Sequence, residues 1–358
     1  MNIHHKISKK DGMIVTIKQI AQKAGVSTAT VSYVLNNTGN ISEGTRKKVL
    51  KILKEYNFKP NRIAKSLRVN RTNMIGVIVE DMTAHHAPWI INGINEYADQ
   101  HGYHIILSNL RLFDKIGNRF EELSQYKDNI NEAINIISST KVDGVIYLAM
   151  HDRKIEGLFE NIDLPVVYTY CYTNEEDDLS VTYENQNIAR EATRYLIEQG
   201  HKKIAVISGP INSMPSHQRM IGFQTALMES GLEMKPEYLK IGDWNYEFGQ
   251  RMCLELMELP DRPTAIFAMN DMMALGALEA ASKSNIHVPE DLSIIGFDNI
   301  ESSLYSNPKL TTIDLPLKKM GYAAAEDIDN RLLGKPIANN SLVLPCTLIK
   351  RESVAHIG

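Results

Sequence analysis

Apolar residues recur at helical spacing at Ile17, Ile20, Ala21 and Ala24 with polar residues between them, which predicts an amphipathic helix over 17–24. Thr16 stands where an N-cap belongs, and Gly25 follows as a residue free to take positive φ at the helix end. Ser27 is placed to cap a second helix from about Thr28 to Leu35, which would bury Val31 together with Val34 or Leu35. Thr28, Ala29, Ser32, Tyr33 and Asn36 are left on or near its other face. Small and polar residues at the start of a helix suit close approach to base edges in a major groove, where a generic helical hairpin would carry long Lys and Glu. Ser42 caps a third helix reaching about Tyr56, with Val49, Leu50, Ile52 and Leu53 inward and Arg46, Lys47, Lys48, Lys51 and Lys54 outward. Pro60 ends this unit. Residues 61–68, NRIAKSLR, form an amphipathic stretch too short to be a stable helix alone, followed by the polar linker VNRTN.

From Met74 onward the pattern changes to short apolar runs alternating with helical periodicity: MIGVIVE, PWIINGINEYADQHG, YHIILSN, a helix near 119–139, and VDGVIYLA. A second block follows with LPVVYTY, the helix NQNIAREATRYLIEQG, KKIAVISGP, the helix SHQRMIGFQTALMESG, TAIFAMND, the helix MMALGALEAASKS, and LSIIGFDN. A βαβα rhythm of this kind predicts parallel sheets covered by helices, and its repetition over roughly 285 residues predicts two doubly wound lobes rather than one large domain. The expected fold class is therefore an all-α helix-turn-helix head on an α/β body of two parallel-sheet lobes.

Charge sharpens this division. Residues 1–73 hold 15 Lys and Arg against 3 Asp and Glu, a surplus of +12, while the remaining residues hold 24 against 40, or −16. The overall −4 conceals a basic head on an acidic body. Neutralising phosphates is the main source of affinity for DNA, so the split fits a nucleic-acid-binding head; a solvated basic tail would lack the helical periodicity.

TIKQIAQKAGVSTATVSYVLN, with FKPNRIAKSLR after it, resembles the DNA-binding head and hinge of the lactose/galactose repressor family, and the resemblance extends over essentially all of residues 16–353. It implies a specificity set of Thr28, Ala29 and Tyr33, with phosphate contacts from Thr16, Ser27, Ser32, Asn36 and Thr45. It also implies a hinge in which Leu67 wedges into a central minor-groove base step, with Asn61, Ala64 and Arg68 alongside. Many members have Arg where this chain has Tyr33, and Tyr cannot pair bidentately with guanine. The resemblance divides the chain into an extension at 1–15, a helix-turn-helix domain at 16–60 and a hinge at 61–73. A first lobe at 74–180 is completed by about 305–333, and a second at 181–304 by about 334–358. Crossovers are expected near Val181, Leu304 and residues 333–344, and the body resembles periplasmic sugar-binding proteins.

Ligands in such folds bind at the carboxyl ends of parallel strands, between the lobes. Those ends carry Glu80 and Asp81, Ser108 and Asn109, Tyr170, Asn270 and Asp271, and Asp298 and Asn299; Arg219 opens the helix RMIGF and Trp244 lies in GDWNYEFG. A carboxylate acceptor, a bidentate donor, an amide and an aromatic platform suit a sugar, whose hydroxyls need both donors and acceptors and whose faces stack on rings. The resemblance maps effector residues onto Arg219, Trp244, Asn270 and Asp298; Glu80, Trp89 and Tyr170 complete the candidate set. Taken singly, Asp298 and Asn270 read equally well as helix caps and Trp244 as a half-buried anchor.

Catalytic signatures are missing: the sequence has no GxSxG, Walker loop or HExxH, and ISGP at 207–210 is too short to cradle a phosphate. His85 and His86 are adjacent rather than at i, i+4, and Cys171, Cys253 and Cys346 are scattered, so neither a metal site nor a disulfide framework is indicated. No cofactor is expected. The polar first 12 residues read as no signal peptide, no apolar run reaches 18 residues, and Met13 is an alternative start, so a cytoplasmic protein is expected. The expectation is a non-enzymatic repressor of carbohydrate-utilisation genes, binding a pseudopalindromic operator as a homodimer and answering to a sugar. A purine or nucleoside effector is the alternative within this class. A sugar-transport binding protein and a carbohydrate kinase are the rivals outside it; the basic head argues against the first, and the missing Gly-rich anion loop against the second.

Overall fold

The computed structural model describes residues 16–35, 38–56, 58, 71–159, 162–173, 175, 178–335 and 340–358. The chain divides into two compact units, Met1–Thr72 and Asn73–Gly358.

In the head, α1 (Ile17–Ala24), α2 (Thr28–Leu35) and α3 (Glu43–Glu55) pack around Ile20, Ala24, Val31, Val34, Val49 and Leu53. Local sequence chemistry sets each boundary. Thr16 and Gln19 form a reciprocal capping box at the start of α1, and Gly25 takes φ 62° at its end, a left-handed conformation that costs a glycine nothing. Ser27 Oγ accepts from the Thr30 backbone N–H at 3.1 Å and Ser42 Oγ from that of Thr45 at 3.4 Å, each satisfying a helix-end donor. Leu50, expected to face inward, is 49% exposed, because the periodicity of α3 places it off the stripe that Val49 and Leu53 bury.

In the body, the first sheet has six strands: β1 (Met74–Val79), β2 (His104–Asn109), β3 (Gly144–Leu148), β4 (Val166–Thr169), β5 (Leu179–Tyr183) and β11 (Ser341–Leu344), in the spatial order β11-β5-β4-β3-β1-β2 and all parallel. The second lobe holds β6 (Ile204–Ser208), β7 (Leu239–Ile241), β8 (Ala265–Ala268) and β9 (Ser293–Ile295) in the order β7-β6-β8-β9, also parallel. The central strands read as unbroken apolar runs because helices cover both faces of each sheet. On one face of the first sheet α6 (Lys127–Ser139) packs against Ile78, Val145 and Tyr147; on the other, α4 (Ala87–His101) packs with α11 (Leu317–Leu332).

Three departures from the sequence expectation concern the lobe exchange. LPVVYTY, read as opening the second block of the rhythm although the expected lobe bounds put it in 74–180, forms β4 of the first sheet, and β5 follows it in the same sheet, so the first crossover comes just after Tyr183, close to the expected position near Val181. The second crossover follows β10 (Thr312–Asp314), since Leu304 still lies within the second lobe. The third departure is β11, assigned to the second lobe by sequence; it pairs with β5 in the first sheet, and only β12 (Thr347–Ile349) and the residues after it return to the second lobe. There Ser353 ties the tail down: its carbonyl accepts from Ile294 N–H at 2.8 Å and its hydroxyl from Thr311 N–H at 2.8 Å. The physical reason is that a short edge strand such as SLVL carries no local signal of which sheet edge it joins.

Candidate effector and DNA-binding sites

Exposure on α2 separates its two faces. Val31 and Val34 are buried, while Thr28, Ala29 and Tyr33 are exposed on the opposite side, with Ser32 between them half-buried. Tyr33 is 47% exposed, and its ring lies against the backbone turn at Gly39. Thr16, Ser27 and Thr45, expected to contact phosphates, take part in the caps that present the helix N-termini, where backbone N–H groups favour anions. Asn36, Asn61, Ala64, Leu67 and Arg68 lie outside the described residues, as does the extension at 1–15.

In the body, Arg219 sits one turn inside α8 (Met214–Glu229) rather than opening it. Its side chain is 3% exposed. Nε donates to Asn185 Oδ1 at 2.8 Å, one Nη donates to the Met269 carbonyl, the other donates to Tyr183 Oη at 3.1 Å, and the guanidinium lies 3.5 Å from the centre of the Phe297 ring. Two of its five N–H groups remain free of these three bonds. Asp298 follows β9 at φ 115°, with Oδ1 at 4.0 Å from Arg219 Nη2 and Oδ2 at 3.9 Å from His85 Nε2 of the first lobe. Both gaps exceed a hydrogen bond. Burial pushes the Asp298 carboxyl up, opposed by the charges of His85 and Arg219.

Trp244 takes φ 70° in the loop before α9 (Tyr246–Met257) and is 9% exposed. Its ring lies flat over Gly209 at the end of β6, where a Cβ would come within 2.0 Å of the indole. Asn270 is both the N-cap of α10 (Asp271–Lys283), accepting from Met273 N–H at 2.9 Å, and the anchor of this loop, its amide donating to the Trp244 carbonyl at 2.9 Å. Asn270 is thus a helix cap and at the same time a tie to the Trp244 loop.

Tyr170, at φ 61° after β4, stacks on His86 at 3.8 Å and accepts a weak bond from Tyr183 Oη at 3.3 Å, joining the first lobe's strand ends to the Arg219 cluster. Burial holds His86 neutral, and its Nε2 lies 2.9 Å from the Ala149 carbonyl.

Two expected residues remain, Glu80 and Trp89. Glu80 is fully buried and consumed by its own lobe: Arg153 grips both carboxylate oxygens, Tyr147 Oη donates at 2.5 Å and Met150 N–H at 2.8 Å. The carboxylate therefore shapes the turn after β3 and has no oxygen left for a ligand. Trp89 is 57% exposed in the first turn of α4. Conversely, the sequence reading passed over the turn after β3. There His151 lies with Nε2 3.1 Å from Ser213 Oγ of the second lobe, and Asp152 accepts from Asn185 Nδ2 at 3.2 Å while its other oxygen has no protein partner. Burial raises the Asp152 carboxyl to about 7, against the pull of Arg219, and lowers His151 to about 3.

A helix-turn-helix head on a two-lobed binding body defines a DNA-binding regulator with a small-molecule site. The comparisons agree: the family model for bacterial regulatory proteins of the lacI family matches residues 16–61, and that for a periplasmic binding protein-like domain matches residues 193–354. The HTH-type transcriptional repressor CytR of Escherichia coli K12 is 35% identical over 97% of this chain and 98% of its own, and the repressor PurR of Erwinia tasmaniensis is 33% identical over 96% and 97%. A crystal structure of the Lac repressor dimer bound to operator and the anti-inducer ONPF superposes with a TM-score of 0.75 at 25% identity, covering 96% of this chain and all of that one. The chain belongs to the lacI family of bacterial regulatory proteins, and it is a DNA-binding transcriptional repressor of a non-enzymatic class. Among the described residues no helix is long and apolar enough to cross a membrane.

Proposed function

We propose that this repressor is a cytoplasmic homodimer governing carbohydrate-utilisation genes, and that an uncharged, sugar-like ligand bound between the lobes sets its affinity for a pseudopalindromic operator. The observation that carries the reading is the pair Arg219 and Asp298. A buried donor and a buried acceptor 4.0 Å apart do not bond each other, which suits a ligand hydroxyl that accepts from one and donates to the other. Trp244 offers a ring face beside them. A nucleoside is the second reading. It is favoured by the first-lobe ring stacks, His86 on Tyr170 and His151 on Phe120, which suit a planar base, and by the likeness to CytR and PurR. The homodimer is supported by the likeness to the Lac repressor dimer.

The test is operator binding by fluorescence anisotropy with a panel of sugars and nucleosides. Wild type is expected to change operator affinity at least about tenfold with the right ligand, on the scale of ordinary allosteric coupling. Asp298→Asn, which fits the positive φ and keeps the shape, should hold ligand-free operator affinity within about threefold and lose the response. An unchanged response in that variant overturns the cleft assignment. The basic head gives a second expected result: a log–log slope of operator affinity against salt of roughly −5 to −9, as for six to ten phosphate contacts. A slope near zero would remove the electrostatic basis of the DNA reading.

A further inference from the structure

Between β2 and α6 the first lobe carries an excursion, residues 112–126, made of a single turn of helix, α5 (Phe113–Ile116), and a 3₁₀ segment, Phe120–Tyr126. It is a built element. Leu112, Ile116 and Leu123 bury themselves with Met150 in a small core of their own, and Phe113 N–H donates to Asp81 Oδ2 at 2.8 Å. Arg119 pairs with Glu122 at 2.6 Å, and Lys115 lies 5.0 Å from the centre of the Tyr126 ring.

At its tip this element meets the second lobe. Asn118 Nδ2 donates to the Asp243 carbonyl at 3.2 Å and to Asn245 Oδ1 at 2.8 Å, the two residues that flank Trp244. Two residues on, Phe120 lies flat on His151, ring centres 4.0 Å apart and planes 4° apart. His151 in turn reaches Ser213, the cap of the helix bearing Arg219, and its ring centre is 6.4 Å from that of Trp244.

The Trp244 loop is therefore held from two sides. Within its own lobe, Asn270 bonds the Trp244 carbonyl and Asp243 Oδ1 accepts from Asn245 N–H at 2.9 Å. From across the cleft, Asn118 bonds the residues before and after the indole. A residue in a left-handed conformation, without a glycine's freedom, persists only when its surroundings over-determine it. The second set of bonds comes from a different lobe, so it exists only while the lobes are together.

We propose that residues 112–126 form a third wall of the effector cleft, and that Asn118 is a positioning residue that fixes Trp244 over the site when the lobes close. The proposal rests on the cleft reading for its function. Its geometry is tested without any ligand, so the two fail separately: Asp298→Asn decides the cleft, and the following decides the latch.

The chain carries two tryptophans, so Trp89→Phe leaves Trp244 as the sole indole. In that background, acrylamide quenching of ligand-free protein reports access to Trp244. Asn118→Asp keeps the size of the side chain but sets a carboxylate against two acceptors. It is expected to raise the quenching constant two- to threefold and shift the emission to longer wavelength, with the melting temperature unchanged. Asn118→Ala should do the same, and Asn118→Gln, which keeps the amide donors, should stay near the parent. Quenching in Asn118→Asp equal to the parent overturns the latch, as does a rise in Asn118→Gln equal to that in Asn118→Asp.

Discussion

Replacing Arg219 by Ala is expected to destabilise the body by roughly 3 to 5 kcal/mol, the cost of removing one partner from a buried charged network and leaving a cavity. The guanidinium is spent largely on the protein itself: Asn185 Oδ1, the Met269 carbonyl and Tyr183 Oη all accept from it, and Phe297 stacks beneath it. Its loss leaves those acceptors unpaired in a place water does not reach. Arg219→Lys should recover part of the loss but not all of it, since an ammonium cannot supply the planar fork or the stack on Phe297. Urea denaturation of the three proteins checks this. An alanine variant within 1 kcal/mol of wild type would show that the hub bonds contribute little. The size of the effect also decides how the cleft should be tested. A lost effector response in Arg219→Ala could be lost folding, whereas Asp298 touches nothing closer than 3.9 Å among the charged groups facing it, so Asp298→Asn reports on the ligand.

Much of the head was legible because its signals are local. A cap at Thr16, Ser27 or Ser42 and a glycine at position 25 act on backbone groups within four residues, so their spacing in the chain is their spacing in space. In the body the parallel strands were equally visible as apolar runs, but which sheet each joins is a non-local choice. VVYT and SLVL would satisfy either lobe by pattern, and the structure puts both in the first. The site shows the same division. Choosing residues at strand ends picked Asp298, Tyr170 and Asn270, which gather around Arg219 and Trp244, and also Glu80, whose partners Arg153 and Tyr147 are more than sixty residues away and invisible to periodicity. Applied to the end of β3, the same rule would have picked His151 and Asp152, which follow GVIYLAM as Asp298 follows SIIGF. Trp244 was proposed from its chemistry and from the family resemblance; nothing near it in sequence announces that Gly209 leaves room for the ring or that Asn118 reaches its loop from the other lobe.

Asp152→Asn is expected to make the protein more stable at neutral and alkaline pH and to flatten part of its pH dependence. The carboxyl is buried, holds one bond from Asn185, and has its other oxygen without a protein partner, so burial raises it from 3.8 to about 7. Below pH 3.8 the folded and unfolded chains are both protonated there and the group is neutral in effect. Between 3.8 and about 7 the unfolded chain gives up a proton that the folded chain keeps, so stability falls as pH rises, and above about 7 the loss is complete. At about 1.4 kcal/mol per pH unit the full loss is on the order of 4 kcal/mol, an upper bound because a buried site relaxes around its charge. Asp271, Asp298 and Asp327 are raised by burial as well and tilt the wild-type curve in the same direction, so the informative quantity is the difference between the two proteins. That difference in unfolding free energy, measured by urea denaturation at intervals from pH 4 to pH 8, should grow in favour of Asp152→Asn and level off above about 7. A difference that stays flat over the range would mean that Asp152 ionises as an exposed carboxylate does, and that the pocket beside Arg219 is open to water.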